Sequence, residues 1–368
     1  MVCLKTKSVF AVFSSVLLCA GLLFGCGEKA FDAVLTLDGE KITPAVYRMY
    51  QIQSYFEASQ QVSSLADTID GINVIEWINR NTLELLRQRR YYNQQFAQQG
   101  LSFTEAEQQE LDRRSETSWQ SAGAVYLRNG VDKDTFLAYQ LDTARQNALF
   151  GQYCADLSDE EIRQYLEDEF VLIEYTQLPC FDSSGKAMEE ETLQQVQSLA
   201  RSALREVRKG GKTFAAACAD AVSGAYALGD FSAPDLENTD SYLFSTYLSR
   251  SAGGESEKKL TAAILETAIG DCGSYEDGQF ILLFHRLPNW ETEEDFEALR
   301  PSVLWQMRGD AFRAEGAAVW DQYELETDEE AIDWYTPQKL DLSSPTEEEE
   351  AAIRSSASSG SSSGQKTP

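Results

Sequence analysis

Two β-rich segments interrupt a sequence that otherwise has the pattern of amphipathic helices, and this interruption limits the folds available to the chain. The first segment, FVLIEYTQLPCF, covers residues 170–181, and the second, DGQFILLFHRL, covers residues 277–287. Outside them, apolar residues recur at intervals of three and four, as they do along helices that pack on one side. The pattern predicts an α+β fold, in which a small α/β unit at residues 166–288 is inserted into a mostly helical chain.

The helical regions on either side of this unit are predicted from apolar periodicity and from capping residues. Residues 72–98 form a long helix candidate, and Thr104 and Glu107 have the spacing of a capping box at the start of the next helix. We expect residues 26–165 to form an N-terminal helical region. Residues 289–341 are expected to form a C-terminal helical segment that returns to it.

The C-terminal tail, residues 342–368, differs in composition from the rest of the chain. After its first leucine it has the sequence SSPTEEEEAAIRSSASSGSSSGQKTP, which contains no aromatic residue. A segment this rich in serine, glycine and acid does not bury enough apolar surface to offset the loss of chain entropy on ordering. The sequence therefore predicts a disordered acidic tail.

The charge and the histidine content exclude several classes of function. The chain of 368 residues has 31 lysines and arginines against 60 aspartates and glutamates, which gives a net charge of −29. Such a charge repels phosphate backbones, so we expect no nucleic-acid partner. The single histidine, His285, and the lack of CxxC spacing among the seven cysteines argue against a metal site. No cofactor is predicted, and His285 is interpreted as an ordinary residue near a strand end.

The N-terminal residues 1–25 have the pattern of a secretory signal peptide. Lys5 and Lys7 precede an apolar run that ends in LLFGCG. The stretch LFGC resembles the lipobox of bacterial lipoproteins, which implies cleavage before Cys26 and acylation of its thiol. Two acyl chains hold a protein stably on a bilayer, so the resemblance implies a lipid-anchored protein on the extracytoplasmic face of the cell membrane. An uncleaved N-terminal anchor helix is the alternative interpretation.

The other cysteines of the mature chain have no assigned pairing. Export permits disulfides, but the sequence does not say which cysteines would form them. Cys218 lies in the apolar stretch FAAACADAV, and we expect it to be buried as a small hydrophobic residue. The pairing is left open for Cys154, Cys180, Cys218 and Cys272.

The order of the segments resembles that of the PrsA and SurA type of extracytoplasmic foldases. In that family, a parvulin-type peptidyl-prolyl isomerase domain is inserted into a helical chaperone lobe. LTLDGEKIT resembles the strand-turn-strand that opens the N-terminal region, and LSDEEIRQYLEDE resembles the segment that leads into the parvulin domain. VRKGGKTFAAACADAVS, the GDF turn at 229–231 and DGQFILLFHRL resemble its helix pair, its Gly-Asp-Leu turn and its last strand. The resemblance implies partners that are unfolded or nascent exported polypeptides.

The parvulin-like segments depart from the family at the positions that carry catalysis. Active parvulins have one histidine in the first strand and another in the last strand. The first position falls at Tyr175 or Thr176 in this sequence, and the second falls at Phe280. Because a twisted amide needs polar groups placed around it, we expect a degenerate parvulin-like domain with no catalytic residue. Tyr175 and Phe280 are candidates for a peptide-binding surface, and the competing interpretation places both in the core.

Three functions are compatible with this sequence. We favour a membrane-anchored extracytoplasmic chaperone that lacks prolyl isomerase activity. The first alternative is an active parvulin-type peptidyl-prolyl cis-trans isomerase with a substituted site, so the question of an enzyme stays open. The second alternative is a structural or assembly lipoprotein with one dedicated partner.

Overall fold

The computed structural model describes residues 31–251 and 254–359, which form two compact units. We call residues 157–307 the sheet unit. Residues 31–156 together with residues 308–359 form the helical unit. The helical unit is therefore built from two separate stretches of the chain, and the predicted insertion at 166–288 lies within the sheet unit.

The first stretch of the helical unit contains two short hairpins and a series of helices. Its elements are β1 (Leu35–Leu37), β2 (Glu40–Ile42), α1 (Pro44–Ser59), β3 (Thr68–Ile69), β4 (Ile72–Asn73), α2 (Val74–Gln98), α3 (Glu105–Arg128) and α4 (Lys133–Tyr153). Thr43 accepts a hydrogen bond from the amide of Val46 and begins α1, and Thr104 and Glu107 form the predicted capping box of α3. The helix predicted at 72–98 is confirmed as α2.

The sheet unit is built around four antiparallel strands. Its elements are α5 (Asp159–Glu169), β5 (Phe170–Pro179), α6 (Glu190–Arg208), α7 (Phe214–Leu228), β6 (Phe244–Ser249), α8 (Glu255–Leu265), β7 (Cys272–Glu276), β8 (Phe280–Leu287) and the first part of α9 (Glu293–Trp320). The strand order is β6-β5-β8-β7. The two predicted strands are confirmed as β5 and β8, the central pair, whereas the sequence analysis did not predict the edge strands β6 and β7.

Side chains alternate along each strand, so both faces of this sheet carry residues of β5 and β8, and each face is covered by different helices. On one face, Val171 and Ile173 of β5 pack against Ile264 of α8. On the other face, Leu178 of β5 and Leu283 of β8 join the cluster formed by α6 and α7. We call these faces the α8 face and the α6/α7 face.

The second stretch of the helical unit returns to the first through a strand pairing. Besides the end of α9, it contains β9 (Leu325–Thr327), α10 (Glu329–Trp334) and α11 (Glu347–Ser359). β9 pairs with β1, so β1 is the central strand of a sheet with the order β2-β1-β9. Arg48 of α1, only 7 % exposed, donates hydrogen bonds to the carbonyl oxygens of Tyr335 at 3.4 Å and Thr336 at 3.2 Å. Gln51 donates to the same Tyr335 oxygen at 2.7 Å.

An aromatic cluster joins α2 to the end of α9 in the helical unit. The ring of Tyr92 stacks on Phe312 with 5.1 Å between centroids, and Trp320 meets Tyr91 and Tyr92 edge-on. The indole Nε1–H of Trp320 donates to Glu84 at 2.8 Å. The indole is therefore fixed both by packing and by a hydrogen bond.

The prediction of disorder for residues 342–368 is wrong where the chain forms α11. Arg128, at the end of α3, pairs with Glu349 at 2.6 Å, and Ile353 is buried in the core of the helical unit. The tail has few large apolar residues, but Leu342 and Ile353 pack on this core, and an arginine of another helix binds one of its acids. Composition alone does not reveal such a tertiary contact. Residues 360–368 lie outside the described residues.

The predicted signal peptide at 1–25 and the lipidation candidate Cys26 also lie outside the described residues. Within 31–251 and 254–359, no helix is both long enough and apolar enough to cross a membrane.

The ring of Trp320 lies against Gly316, four residues earlier in α9, and this contact can be tested by substitution. A Cβ atom at this position would overlap the Trp320 ring, so we expect Gly316→Ala to lower the free energy of unfolding by about 1–3 kcal/mol. Gly151→Ala is the matched control, because it also lies in a helix and its added Cβ would meet no atom within 4 Å. The control should be neutral or slightly stabilising, since alanine favours helix over glycine. Urea unfolding measures both variants, and equal effects would contradict the packing described here.

Candidate functional site

Tyr175 and Phe244 form an aromatic pair at the edge of the sheet unit. The two residues are in register across β5 and β6, with their ring centroids 5.7 Å apart. Tyr175 is half-buried, whereas Phe244 is 44 % exposed. Both belong to the α8 face, because they share the strand alternation of Ile173 and its partner Thr246. The structure thus places a predicted site residue beside an exposed aromatic ring on an edge strand.

Phe280 belongs to a second aromatic cluster at the beginning of β8. Its ring lies 5.3 Å from that of Phe181, which in turn lies 5.8 Å from Phe231, and Tyr226 lies 5.5 Å from Phe231. All four rings are half-buried. Gly229 of the GDF turn permits this arrangement, because a Cβ there would come within 2.7 Å of the Phe231 ring.

The structure does not bring Tyr175 and Phe280 into contact. Tyr175 pairs with Phe284 across β5 and β8, and Phe280 pairs with Pro179. The two candidates are therefore four positions apart along the strand pair, a distance of roughly 13 Å at about 3.3 Å per residue. Tyr175 packs on the α8 face, whereas the ring contacts of Phe280 lead through Phe181 and Phe231 to Tyr226 of α7.

The only histidine of the sequence lies on the α6/α7 face, between an acid and a thiol. His285 of β8 is in register with Glu174 of β5 on one side and with Cys272 of β7 on the other. Its Nδ1 lies 3.9 Å from Glu174 Oε2, and its Nε2 lies 3.2 Å from the carbonyl oxygen of Gly270. The ring also packs against Phe214, with 5.5 Å between centroids. This row has the residue types of a nucleophilic site.

The protonation of the thiols argues against nucleophilic chemistry in this row. Burial raises the pKa of Cys272 to about 11 and that of the neighbouring Cys218 to about 12. Because the thiolate is the reactive form, thiols held neutral at physiological pH are poor nucleophiles. Cys218 is fully buried, as predicted, and all four cysteines of the described residues are buried free thiols. The row is therefore a partly buried polar group that packs against Phe214 of α7.

Sequence reasoning identified Tyr175 but not the residues that surround it. Phe244 lies in a short strand, FSTYLS, whose serines and threonine give no clear strand pattern. Glu174 offered a signal that was not used, because it is the one acid in the apolar stretch FVLIEYTQL. The described residues contain no group of three or more histidine, cysteine or acidic side chains suited to a metal ion.

The strands and helices define an α+β protein with a small antiparallel sheet unit and an aromatic surface on that unit. No protein-family model and no curated protein matches the chain. Among solved structures, it is similar to the foldase protein PrsA from Streptococcus pneumoniae str. Canada MDR_19A, with 13 % identity and a TM-score of 0.34 over 83 % of this chain and 99 % of that chain. It is also similar to foldase protein PrsA from Lactococcus lactis, with 10 % identity and a TM-score of 0.30 over 83 % and 99 % of the two chains. For PrsA from Bacillus subtilis, the identity is 12 % and the TM-score 0.25 over 74 % and 87 %. Because these TM-scores lie below 0.5, the interpretation of the site depends on the contacts within this chain.

The burial of Glu174 predicts a pH-dependent effect on stability. Burial raises the pKa of Glu174, and His285 lowers it in part. The folded state therefore binds this proton more tightly than the unfolded state, so stability is lost as the pH rises above the unfolded pKa of the carboxyl group. We expect Glu174→Gln to raise Tm by a few degrees at pH 7. The difference should vanish below about pH 4, where the carboxyl group is protonated in both states.

Thermal unfolding from pH 3 to pH 8 measures this difference. Glu237→Gln is the control, because Glu237 is an exposed acid in the same unit. A gain that is the same at every pH, or that appears equally in the control, would contradict the assignment to Glu174.

Proposed function

We propose that this protein is a membrane-anchored extracytoplasmic chaperone that binds extended segments of unfolded exported polypeptides. We further propose that its sheet unit holds these segments without isomerising their prolyl bonds. The observation that carries the proposal is the pair of Tyr175 and Phe244. It presents an exposed aromatic surface at the sheet edge, where the sequence resemblance implies a catalytic histidine.

The geometry of the aromatic residues suits weak binding of an extended chain. A phenylalanine that is 44 % exposed leaves apolar area for a client side chain to cover. Burial of this area favours binding whatever the sequence of the client. The clusters around Tyr175 and Phe280 are about four strand positions apart along β5 and β8. An extended client segment rises about 3.3 Å per residue, so roughly four of its residues would reach from one cluster to the other. Contact with both clusters supports binding that is reversible and tolerant of sequence.

The same surroundings support the absence of isomerase activity. The barrier to prolyl isomerisation is about 18–20 kcal/mol, and lowering it requires polar groups placed around the twisted amide. Tyr175 packs beside Phe244, and Phe280 packs beside Phe181, so both positions have aromatic neighbours. The polar row around His285 lies on the opposite face of the sheet and cannot serve this surface.

Aggregation of a chemically denatured client, measured with stoichiometric amounts of the full chain, tests the chaperone proposal. Phe244→Ser removes the exposed ring, and we expect it to weaken the suppression of aggregation at least twofold, because it removes apolar contact area. Val319→Ser is the matched control, since Val319 is an apolar residue of similar exposure, 43 %, in the helical unit. Equal suppression of aggregation by both variants would show that the aromatic surface is not the client-binding site.

A protease-coupled assay with a proline peptide separates the chaperone from the active isomerase. On the chaperone proposal, the full chain leaves the rate of isomerisation at its uncatalysed value. A clear kcat/KM that falls in Phe280→Ala would instead favour the isomerase alternative.

The membrane anchor is proposed from the lipobox resemblance at Cys26. We expect the intact mass of protein extracted from membranes to match a chain that begins at Cys26 and carries acyl groups. Cys26→Ser should release the protein from the membrane fraction, because a chain without acylation lacks the anchor. A mass that includes residues 1–25 and an unmodified Cys26 would favour the uncleaved anchor helix.

A further inference from the structure

A cleft with a volume of about 500 Å³ lies within the sheet unit, where β5 begins and where β6 and β8 end. Its size falls in the range of sites that bind small molecules or single side chains. Val171, Ile269 and Trp290 give it apolar walls, and Arg250 and Arg286 give it two positive charges. Ile269 is 59 % exposed, which makes it the most exposed large apolar residue named in the sheet unit.

The two arginines lack the partners that half-buried cations normally have. Across residues 31–251 and 254–359, neither forms an ion pair, and the Nε atom of each is buried without a hydrogen-bond acceptor. Burial and the nearby charge of Arg250 both lower the pKa of Arg286. Buried charges are usually paired, because removal from water is costly without compensation. In a chain with a net charge of −29, acidic partners are abundant, so two adjacent arginines without one need an explanation.

Hydrogen bonds within the fold account for the position of Arg286 but not for that of Arg250. Arg286 Nη1 donates to the carbonyl oxygens of Leu265 at 3.2 Å and Thr267 at 2.7 Å, so this side chain caps the C-terminal end of α8. The guanidinium is thereby held in place, and its Nε remains without an acceptor. The side chain of Arg250 makes no hydrogen bond within the described part of the chain, so its position in the cleft serves no evident structural purpose.

We propose that this cleft binds a carboxylate group of a polypeptide, with Arg250 and Arg286 as the hydrogen-bond donors. A guanidinium matches the planar geometry of a carboxylate, and one anion between two arginines would relieve their mutual repulsion. The walls formed by Val171, Ile269 and Trp290 suit an apolar side chain next to that carboxylate. A C-terminal carboxylate and an acidic side chain offer the same chemistry, and the experiment distinguishes these two sources.

Two exposed acids at the rim of the cleft only weakly oppose the charge of the arginines. Glu167 and Asp168 line the cleft, but both are exposed and are screened by water. Selection of a carboxylate over phosphate therefore comes from the apolar walls, which suit an anion carried by an apolar chain. The expected ligand is therefore a carboxylate on an apolar chain.

This inference goes beyond the proposed chaperone function and does not depend on it. Val171, at the cleft, and Tyr175, in the aromatic pair, are four residues apart along β5, roughly 13 Å in a strand. If Phe244→Ser had no effect on aggregation, the chaperone proposal would fail, but that result would not bear on the carboxylate site. The two proposals therefore fail or succeed in separate experiments.

Fluorescence anisotropy with the full chain and a labelled peptide that ends in Ala-Val-Leu tests the site. We expect the free acid to bind about tenfold more tightly than the same peptide with a C-terminal amide, the effect of one charge-assisted hydrogen bond. An amidated peptide with an internal glutamate is the second arm. Binding of the free acid alone assigns the site to a C terminus, and binding of both assigns it to carboxylates in general.

Arg250→Gln should abolish the difference in affinity between the free-acid peptide and the amidated peptide, whereas Arg201→Gln should preserve it. Arg201 is the matched control, because it is an exposed arginine of α6 in the same unit. Arg250→Lys keeps the charge but loses the planar donor pair, so we expect an intermediate loss, and this variant serves if Arg250→Gln does not fold. Equal binding of acid and amide, or unchanged preference in Arg250→Gln, would overturn the proposal. Displacement of the peptide by inorganic phosphate at lower concentration than by acetate would also overturn it.

Discussion

The pairing of β1 with β9 holds the helical unit together, because the two strands come from opposite sides of the sheet unit in sequence. Arg48 strengthens this closure from α1 through its hydrogen bonds to the carbonyl oxygens of residues 335 and 336. Its guanidinium also lies 5.0 Å from the centre of the Tyr335 ring. Burial lowers the pKa of Arg48 to about 10, which leaves the side chain charged at neutral pH. The charge is compensated by carbonyl oxygens and an aromatic face, and no carboxylate is required.

The sequence predicts the central strands of the sheet unit better than its edges. β5 and β8 are long apolar runs, since both faces of each are buried. The edge strands FSTYLS and CGSYE are shorter and mix aromatic residues with small polar ones, so neither forms the apolar run that marks a central strand. These edge strands are ordered by pairing with their neighbours, and such pairing has no local signal. The helix α11 escapes prediction for the same reason, because its order depends on Arg128 and on the core that receives Ile353.

The candidate sites depend on register, which one sequence does not reveal. Tyr175 could be singled out because the resemblance implies a catalytic histidine at this position or the next, but its contact with Phe244 exists only because β6 pairs with β5 at that offset. A shift of one residue would turn either side chain to the other face. The same applies to Arg250 and Arg286, which are distant in sequence and meet where β6 and β8 end. Composition and spacing can propose residue types for a site, and strand pairing decides which of them become neighbours.

The division of the helical unit has a consequence for the order in which the protein is assembled. β1 is synthesised early, whereas its partner β9 follows only after the whole sheet unit has been made. The sheet unit is continuous in sequence, so it can fold while one edge of β1 is still open. Contacts between residues so far apart in the chain form slowly, because a long loop must close before they can contribute. For a nascent chain, this delay means that β1 keeps an exposed strand edge, and that the core of the helical unit stays incomplete, until the last part of the chain has been made.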